Sequence, residues 1–324
     1  MVTAIIPNWN RAELLAAALE SLRLQTRPPD EIIVVDNGSS DASASVARTA
    51  GARVIEMGGN AGFARAVNAG IEAATGESVA ILNNDVELEA HWLERLLDRL
   101  GDSEHGFAVG KLLSPEGLID GAWDAICRGA CAWRCGQNRP DGELWNRERA
   151  IRFAPFTAVV FKSAVFRSIG KLDYIYDSYL EDIDFGIRCA MAGITGLYVP
   201  EARGHHRGSA TYGQWSYDTV RLLARNQVFL IARNYPGTWM LRYGWPVMVA
   251  HMLWGCVAMR HGQFRAYARG KMEGVRFFPA VRRDRWVFDA QAFHSLLTEA
   301  EQEIRTLQKA TGYDLFWRLY FGLT

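Results

Sequence analysis

Short apolar runs alternate with amphipathic stretches over the first hundred residues of the chain. The apolar runs predict buried strands, and the stretches between them carry apolar residues at helical spacing. The predicted strands are residues 2–7, 31–36, 53–57 and 78–83, and the predicted helices are residues 11–24, 39–51, 62–76 and 90–100. Ser39 or Ser40 would cap the second helix. This alternation indicates βαβ units and a mostly parallel sheet.

The pattern is less regular after residue 106. Apolar runs predict strands at 107–113, 153–162 and 196–202, and helical spacing predicts helices at 163–169 and 181–192. After Gly208 the composition shifts to long helical segments rich in Arg, Trp and Met. We therefore predict an α/β domain over residues 1–210 and a helical region over residues 211–324.

The charge of the chain is unevenly distributed along its length. The net charge is zero, but residues 203–324 hold 17 Lys and Arg against 8 Asp and Glu, and residues 1–202 carry the opposite excess. This asymmetry indicates an anionic partner for the C-terminal half, either nucleic acid or a membrane surface. No nucleic-acid-binding motif is present, so we expect no nucleic acid partner.

Residues 243–259 form an apolar and aromatic segment that contains Pro246 and His251. The segment is shorter than the ~18–20 uncharged residues that a spanning helix needs. Residues 260–285 then carry eight Lys and Arg. This pattern predicts peripheral membrane contact through residues 243–285. The alternative is a buried helix beside a solvated basic face.

The cysteine content and the first residues bear on the compartment. The chain has five cysteines, an odd number, and its start lacks the charged and apolar regions of a signal peptide. We therefore expect a reducing cytosol.

Polar or Gly-rich segments follow four of the predicted strands. They are Pro7-Asn8, Asp36-Asn37-Gly38, Gly58-Gly59-Asn60 and Asn83-Asn84-Asp85. Ligands bind at the carboxyl ends of strands in such sheets. Asp36 could accept hydrogen bonds from a base or ribose, or cap the next helix. Gly62 precedes a helix N-terminus that favours phosphate, and Asp85 is the candidate ligand for a hard divalent cation.

Two further segments carry candidate chemistry. Glu181, Asp182 and Asp184 open a predicted helix, where one carboxylate could serve as a general base or all could favour the helix dipole. His205 and His206 follow the last predicted strand, and one of them is either a metal ligand or a surface residue of a Gly-rich loop. The chain lacks the signatures G-x-G-x-x-G and G-x-x-x-x-G-K-[ST], which argues against a dehydrogenase or a P-loop protein.

The ordered set of motifs resembles a family-2 glycosyltransferase with the GT-A fold. The motifs are IIPNWNR (5–11), IIVVDNGSSD (32–41), GGNAGFARAVNAGI (58–71), LNNDVEL (82–88), YLEDIDFGIRCAMAG (179–193) and VPEARGHHRGSA (199–210). The resemblance implies a Rossmann-like mixed, mostly parallel sheet flanked by helices, with a helical C-terminal extension. Within the family, the chain is most similar to rhamnosyltransferase-like enzymes that build bacterial cell-surface polysaccharides.

The resemblance also implies roles for individual residues. Asp36 would hold the nucleotide base, and Asp182 would be the catalytic base. Asn83 replaces the first acid of the family's D-x-D motif. The remaining residues of the nucleotide pocket would be Pro7, Asn8, Asn10, Asn60, Gly62 and Asn84. Asp85 and His206 would bind a divalent cation, Mg²⁺ or Mn²⁺, and Glu181 and Trp123 would contact the acceptor.

The activity implied by the resemblance is inverting transfer of a sugar from a nucleotide donor, dTDP-rhamnose or a UDP-hexose. The acceptor would be a glycan or a lipid-linked molecule, which places the protein at the cytoplasmic face of the inner membrane. One alternative is a nucleotidyltransferase, but residues 7–11 replace the Gly-rich loop that such enzymes carry after strand one. The other is a non-catalytic peripheral membrane scaffold with a degenerate transferase core.

Overall fold

A computed structural model describes residues 1–101, 103–207 and 215–324. The chain forms two compact units. The first comprises Met1–Trp123 and Gly136–Thr211, and the second comprises Asp124–Cys135 and Tyr212–Thr324. The domain boundary predicted at residues 210–211 lies outside the described residues.

The first unit is a sheet with flanking helices. Its strands are β1 (Val2–Asn8), β2 (Glu31–Asp36), β3 (Arg53–Glu56), β4 (Ser78–Leu82), β5 (Val86–Leu88), β6 (Phe107–Leu113), β7 (Leu118–Gly121), β10 (Arg139–Pro140), β11 (Arg149–Ile151), β12 (Ala158–Lys162) and β13 (Gly196–His206). The strands β8 (Asp124–Ile126) and β9 (Ala132–Arg134) belong to the second unit. Its helices are α1 (Ala12–Arg23), α2 (Ser43–Thr49), α3 (Phe63–Ala73), α4 (Trp92–Gly101), α5 (Ser163–Ile169) and α6 (Glu181–Met191).

The core of the sheet is parallel. Strands β3, β2, β1 and β4 lie side by side in that order, and all three pairings are parallel. Strand β12 runs antiparallel between β4 and β6, and β13 pairs in parallel with β6 and in antiparallel with β5. The predicted α/β class and mixed sheet are confirmed, because the Val- and Ile-rich strands β1, β2 and β4 are covered by helices and bury their side chains.

Helices α1 and α4 cover one face of the sheet. The apolar residues of α1 recur at Leu15, Leu19 and Leu22, and all are buried in one cluster with Ile6 of β1. Helix α4 contributes a second row of buried residues, beginning with Trp92, to the same cluster. This packing fixes the strands and leaves the polar residues at their carboxyl ends along one edge.

Three predicted elements have different limits in the structure. Helix α2 begins at Ser43 after Ala42, because Asp41 accepts a hydrogen bond from the Ser43 amide. The predicted strand over 153–162 is formed only over Ala158–Lys162. Strand β13 continues to His206, so the two histidines lie on a strand rather than in a loop. These predictions were wrong because side-chain hydrogen bonds and strand pairing decide the ends of the elements.

The second unit contains the hairpin β8 (Asp124–Ile126) and β9 (Ala132–Arg134) and five helices. The helices are α7 (Tyr217–Asn234), α8 (Trp239–Arg260), α9 (Phe264–Arg283), α10 (Ala290–Thr311) and α11 (Leu315–Leu323). Helix α9 approaches α7 closely, since a Cβ atom at Gly270 would lie 2.1 Å from the carbonyl oxygen of Arg221. Glu301 of α10 accepts hydrogen bonds from both the amide and the Nε of Arg128, which fixes the hairpin to this helix.

The longest helices of the second unit bear on the membrane prediction. Helices α8 and α10 each have 22 residues. Among the described residues, no helix combines the length and the apolar character needed to cross a membrane.

Candidate active site

The carboxyl ends of β1 and β2 bring Asn8 and Asp36 into register. The two residues are partners in the parallel pairing, and the Asn37 amide donates to the Asn8 carbonyl oxygen at 2.7 Å. Asp36 is buried, and its Oδ2 accepts from the Ser39 amide at 3.2 Å. Its Oδ1 is buried and has no hydrogen-bond partner within the described residues. A buried carboxylate oxygen without a donor is costly, so this atom is suited to accept from a ligand N–H or O–H.

Three predicted nucleotide-pocket residues form one hydrogen-bonded chain beside Asp36. Asn84 donates through Nδ2 to Asn8 Oδ1 at 2.6 Å. Asn8 donates to Ser39 Oγ at 3.3 Å, and Ser39 Oγ also accepts from the Asn10 amide at 2.7 Å. Asn10 adopts a left-handed backbone conformation with φ of 59°. These contacts hold the side chains of Asn8 and Asn84 and the backbone of Asn10.

Pro7 lies within the sheet rather than beyond it. It pairs with Val35 of β2 and is buried. Pro7 thus shapes the strand that carries Asn8, and its role in the nucleotide pocket stays a prediction.

Asn60 and Gly62 belong to a second network. Asn60 Oδ1 accepts from Asn37 Nδ2 and from the Gly62 amide, both at 3.1 Å. Gly62 has φ of 90°, and a Cβ atom there would lie 3.0 Å from the carbonyl oxygen of Asp177. Gly62 is required by this close approach to the 177–180 loop.

The N-terminus of α3 is occupied by the same loop. The Ala64 amide donates to the Asp177 carbonyl at 3.0 Å, and the Phe63 amide donates to Ser178 Oγ at 3.3 Å. The sequence predicted that this helix end would face phosphate. That prediction is not supported, because the two amides are already bonded to the loop.

His206 lies between two carboxylates. Its Nε2 is 3.2 Å from Asp85 Oδ1, and its Nδ1 is 2.8 Å from Asp120 Oδ2. His206 pairs with Val86 in the sheet, which places it beside the residue that follows Asp85. Side chains alternate along a strand, so His206 is buried whereas His205 is half exposed. The structure therefore brings together the two residues predicted to bind metal, and it rejects the surface-loop alternative for His206.

Two opposing effects set the pKa of His206. Burial lowers this pKa, but hydrogen bonds and charge from Asp120 and Asp85 outweigh burial and raise it to about 9. The metal-free imidazole is therefore protonated at neutral pH. Asp120 was missed by the sequence analysis, although an acid in the apolar and Gly-rich run of residues 118–123 was a weak signal.

The side chains of Asp85 and His206 are of the chemical types that bind divalent cations. The pair offers a carboxylate oxygen and an imidazole nitrogen. Asp120 contacts the other ring nitrogen of His206, as carboxylates commonly do at metal-bound histidines. Within residues 1–101, 103–207 and 215–324, no group of three or more His, Cys, Asp and Glu side chains is arranged to hold a metal ion. A cation at this pair would therefore need phosphate or water oxygens to complete its shell.

The loop before α6 has an unusual backbone. Asp177, Tyr179 and Leu180 all have positive φ values, of 58°, 73° and 69°. Side chains other than glycine rarely adopt this conformation, and such strain persists where the surrounding structure imposes it. The loop delivers Glu181 and Asp182 to the first turn of α6.

The three acids of α6 have different environments. Asp184 is buried and pairs with Arg188 at 3.0 Å, so it belongs to the core. Glu181 is also buried, its Oε2 has no hydrogen-bond partner within the described part of the chain, and burial raises its pKa well above the usual range. Asp182 is only half buried and accepts from the Ile183 amide at 2.8 Å. Of the three, Asp182 is the most accessible carboxylate.

Trp123 is a core residue. Its side chain is 1% exposed, and its ring centroid lies 5.0 Å from that of Tyr198 and 5.8 Å from that of Trp145. The guanidinium of Arg149 lies over the ring at 4.7 Å. The predicted contact between Trp123 and an acceptor is wrong, because aromatic neighbours and an arginine cover the ring.

A parallel sheet core flanked by helices, with carboxylates and amides along one edge, defines an α/β fold of the GT-A type. The family model described as glycosyl transferase family 2 matches residues 3–167. The chain belongs to this family and is a family-2 glycosyltransferase.

Named relatives are consistent with this assignment. The chain is 26% identical over 257 residues to an N-acetylglucosaminyl-diphospho-decaprenol L-rhamnosyltransferase of Mycobacterium tuberculosis, covering 70% of this chain and 82% of the relative. It is 31% identical over 195 residues to a PGL/p-HBAD biosynthesis glycosyltransferase of Mycobacterium bovis, covering 58% of this chain and 69% of the relative. It is 27% identical over 222 residues to the O-antigen biosynthesis protein RfbC of Myxococcus xanthus, covering 65% of this chain and 17% of that protein.

Two solved structures share the fold. The mannosyltransferase PcManGT of Pyrobaculum calidifontis, in complex with GDP-Man and Mn²⁺, superposes with a TM-score of 0.53 and 18% identity, covering 99% of this chain and 86% of that one. GalNAc-T7 with UDP, GalNAc and Mn²⁺ gives a TM-score of 0.63 and 14% identity, covering 97% of this chain and 58% of that one. These neighbours support the GT-A fold.

Proposed function

We propose that this glycosyltransferase moves a sugar from a nucleoside-diphosphate donor, dTDP-rhamnose or a UDP-hexose, with inversion at the anomeric carbon. The acceptor is a hydroxyl of a glycan or lipid-linked molecule in cell-surface polysaccharide synthesis. The observation that carries the proposal is the buried Oδ1 of Asp36 at the carboxyl end of β2, which has no hydrogen-bond partner among the residues that the structure describes. A pyrimidine base or a ribose supplies the hydrogen-bond donor that this oxygen lacks.

The hydrogen-bonded asparagine residues beside Asp36 support a nucleotide pocket. Asn8, Asn10 and Asn84 are held by one another and by Ser39. Preformed polar groups of this kind lower the ordering cost of ligand binding. The two structural neighbours were solved with GDP-Man and with UDP and GalNAc, which are ligands of those proteins, and they support only the fold of this chain.

Asp85 and His206 would hold a divalent cation, Mg²⁺ or Mn²⁺, with the donor diphosphate. When bound, such a cation offsets the negative charge that develops on the departing diphosphate. His206 must give up its proton to act as a ligand, and Asp120 would then keep its Nδ1–H oriented. Both structural neighbours were solved with Mn²⁺, which is a property of those proteins.

Asp182 would act as the general base. Its carboxylate takes the proton of the acceptor hydroxyl, whose oxygen forms a bond to the anomeric carbon as the bond from that carbon to the diphosphate oxygen breaks. The electron pair leaves with the nucleoside diphosphate, so a single displacement inverts the centre. Glu181 is buried, and this burial raises the pKa of its carboxyl well above the usual range, so the half-buried Asp182 is the better candidate for this role.

The donor class is tested by a thermal-shift screen of nucleotide sugars with Mg²⁺ or Mn²⁺, followed by transfer assays with the stabilising donor. A ligand that binds only the native state raises its apparent stability, by about 2.7 kcal/mol at one hundred times its Kd. Stabilisation by dTDP-rhamnose or a UDP-hexose, together with consumption of the donor, is expected. Release of pyrophosphate from a nucleoside triphosphate and a sugar phosphate would instead identify a nucleotidyltransferase, and absence of any nucleotide binding would favour a scaffold.

A lipid-linked acceptor would require the enzyme to work at a membrane surface. We propose the cytoplasmic face of the inner membrane as that place, with contact through residues 243–285. The basic and aromatic character of α8 and α9 supports this location.

A further inference from the structure

The solvent-facing side of α8 is an apolar stripe. Leu241, Trp245, Met248, Met252 and Met259 are all exposed, with Leu241 91% exposed and Met252 63% exposed. Successive members are three, four or seven residues apart, so they lie along one side of the helix. The stripe spans about 27 Å, given a rise of about 1.5 Å per residue.

The opposite side of α8 is also apolar. Tyr243, Val249 and Ala250 are buried on that side. A helix on the surface of a protein in water normally presents polar residues to the solvent. An exposed, continuous apolar stripe on an ordered helix therefore indicates a surface that is covered by something else.

Helix α11 adds a second row of exposed apolar residues beside the stripe on α8. Leu315, Leu319 and Leu323 recur every four residues, and all three are exposed. The indole Nε1 of Trp245 donates to the Leu323 carbonyl oxygen at 2.7 Å, which joins the two helices. We call the surface formed by Leu241, Trp245, Met248, Met252, Leu319 and Leu323 the α8–α11 apolar face.

The charged side chains within helices α8 and α11 are all arginines. The sequences of α8 and α11 contain no Asp or Glu, whereas exposed Arg242, Arg260 and Arg318 lie on these helices. Helix α9, which packs against α8, adds six Lys and Arg against Glu273 alone. An apolar face bordered by cations matches a surface that is apolar inside and anionic at its border.

We propose that the α8–α11 apolar face lies flat on an anionic lipid bilayer, with its apolar side chains among the acyl chains and the arginines at the headgroups. Trp245 suits the interface, because its ring is apolar and its N–H is already bonded to Leu323. A second copy of the chain is a poorer occupant, since it would bring the same excess of positive charge to the contact. The inference deepens the membrane contact proposed above and rests on it, and because vesicle binding needs neither donor nor acceptor, its failure would leave the proposed sugar transfer standing.

The test is cosedimentation of the full chain with phosphatidylcholine vesicles that contain or lack about 30% phosphatidylglycerol. The wild-type protein is expected to bind the anionic vesicles, and Met248→Glu/Met252→Glu is expected to lower the partition coefficient at least tenfold. Arg242→Gln/Arg260→Gln/Arg318→Gln should weaken binding to the anionic vesicles, and so should 0.5 M salt, because both remove the electrostatic part of the attraction.

Leu24→Glu is the matched control, because Leu24 is 57% exposed and lies in the first unit. It should bind vesicles as the wild type does, and circular dichroism should show that all variants remain folded. Wild-type protein that stays in the supernatant with anionic vesicles would overturn the proposal. So would a concentration-dependent dimer, found by analytical ultracentrifugation, that the methionine variant abolishes without any change in vesicle binding.

Discussion

Asp120 Oδ2 lies 2.8 Å from His206 Nδ1, on the side of the imidazole opposite Asp85. The pair joins β7 to the end of β13 across 86 residues of sequence. Asp120 therefore fixes both the orientation and the charge of His206, which makes it a positioning residue for the proposed diphosphate site.

Asp120→Asn tests this relationship. The amide oxygen can still accept from Nδ1–H, but the negative charge is lost, so the pKa of His206 should fall from about 9 in a metal-free NMR titration. Sugar transfer should fall by about 10- to 100-fold, the usual effect of losing such a partner. In the His206→Gln background, the same change should add little, because the two residues act as one unit. Full additivity of the two substitutions would contradict the assignment.

Asp182→Asn should abolish transfer while donor binding is preserved. Removing a general base typically costs about 10² to 10⁴ in rate, and the amide cannot take the acceptor proton. The measurements are kcat in a transfer assay and donor affinity by calorimetry. Glu77→Gln, which removes a carboxylate that is 92% exposed, is the control and should behave as the wild type does. Undiminished kcat in the Asp182 variant would remove this residue from the mechanism.

Asp36→Asn should weaken donor binding more than it slows the chemical step. A hydrogen bond to a charged group contributes about 1.5–3 kcal/mol, so the donor Kd should rise about 10- to 100-fold. Asp41→Asn serves as a comparison, because Asp41 accepts from the amide and the hydroxyl of Ser43 at the start of α2 and should affect stability rather than affinity. An unchanged Kd for Asp36→Asn would show that Asp36 does not bind the nucleotide base.

Stability should depend on pH through His206 when metal is removed by a chelator. The pKa of His206 is raised from 6.5 to about 9 in the folded chain, so the folded state binds this proton more tightly than the unfolded chain does. The resulting contribution is fully present below about pH 6.5 and is lost as pH rises through about 9. Urea unfolding at pH 6 and pH 9.5 should show a smaller pH dependence for His206→Gln than for the wild type. His205→Gln should match the wild type, since His205 is half exposed.

Gly62→Ala should destabilise the protein through the 177–180 loop. The added Cβ atom would lie 3.0 Å from the Asp177 carbonyl oxygen, at a backbone position with φ of 90°. Strain of this kind costs about 1–3 kcal/mol. Gly59→Ala is the control, because a Cβ atom there has no neighbour within 4 Å. Equal free energies of unfolding for the two variants would show that the close approach is unimportant.

The pattern of apolar and polar residues is enough to predict the class of the fold and the edge at which the candidate site lies. Apolar runs such as residues 31–36 and 78–83 bury their side chains whatever their partners, so their periodicity predicts strands, and the polar residues that follow them mark the ligand-binding edge. The same reasoning singled out Asp36, Asp85 and Asp182, whose assigned roles stay predictions. Local pattern is sufficient for these features because burial of a strand depends mainly on its own residues.

Which side chains meet depends on how the strands pair and pack in the folded chain. Asp120 contacts His206 because β6 pairs with both β7 and β13, and no local pattern encodes that pairing. Trp123 is covered by Tyr198 and Trp145, which are distant in sequence, so its aromatic character alone gave the wrong interpretation. Long-range strand pairing and side-chain packing fix these contacts, and both depend on the arrangement of the whole sheet rather than on neighbouring residues.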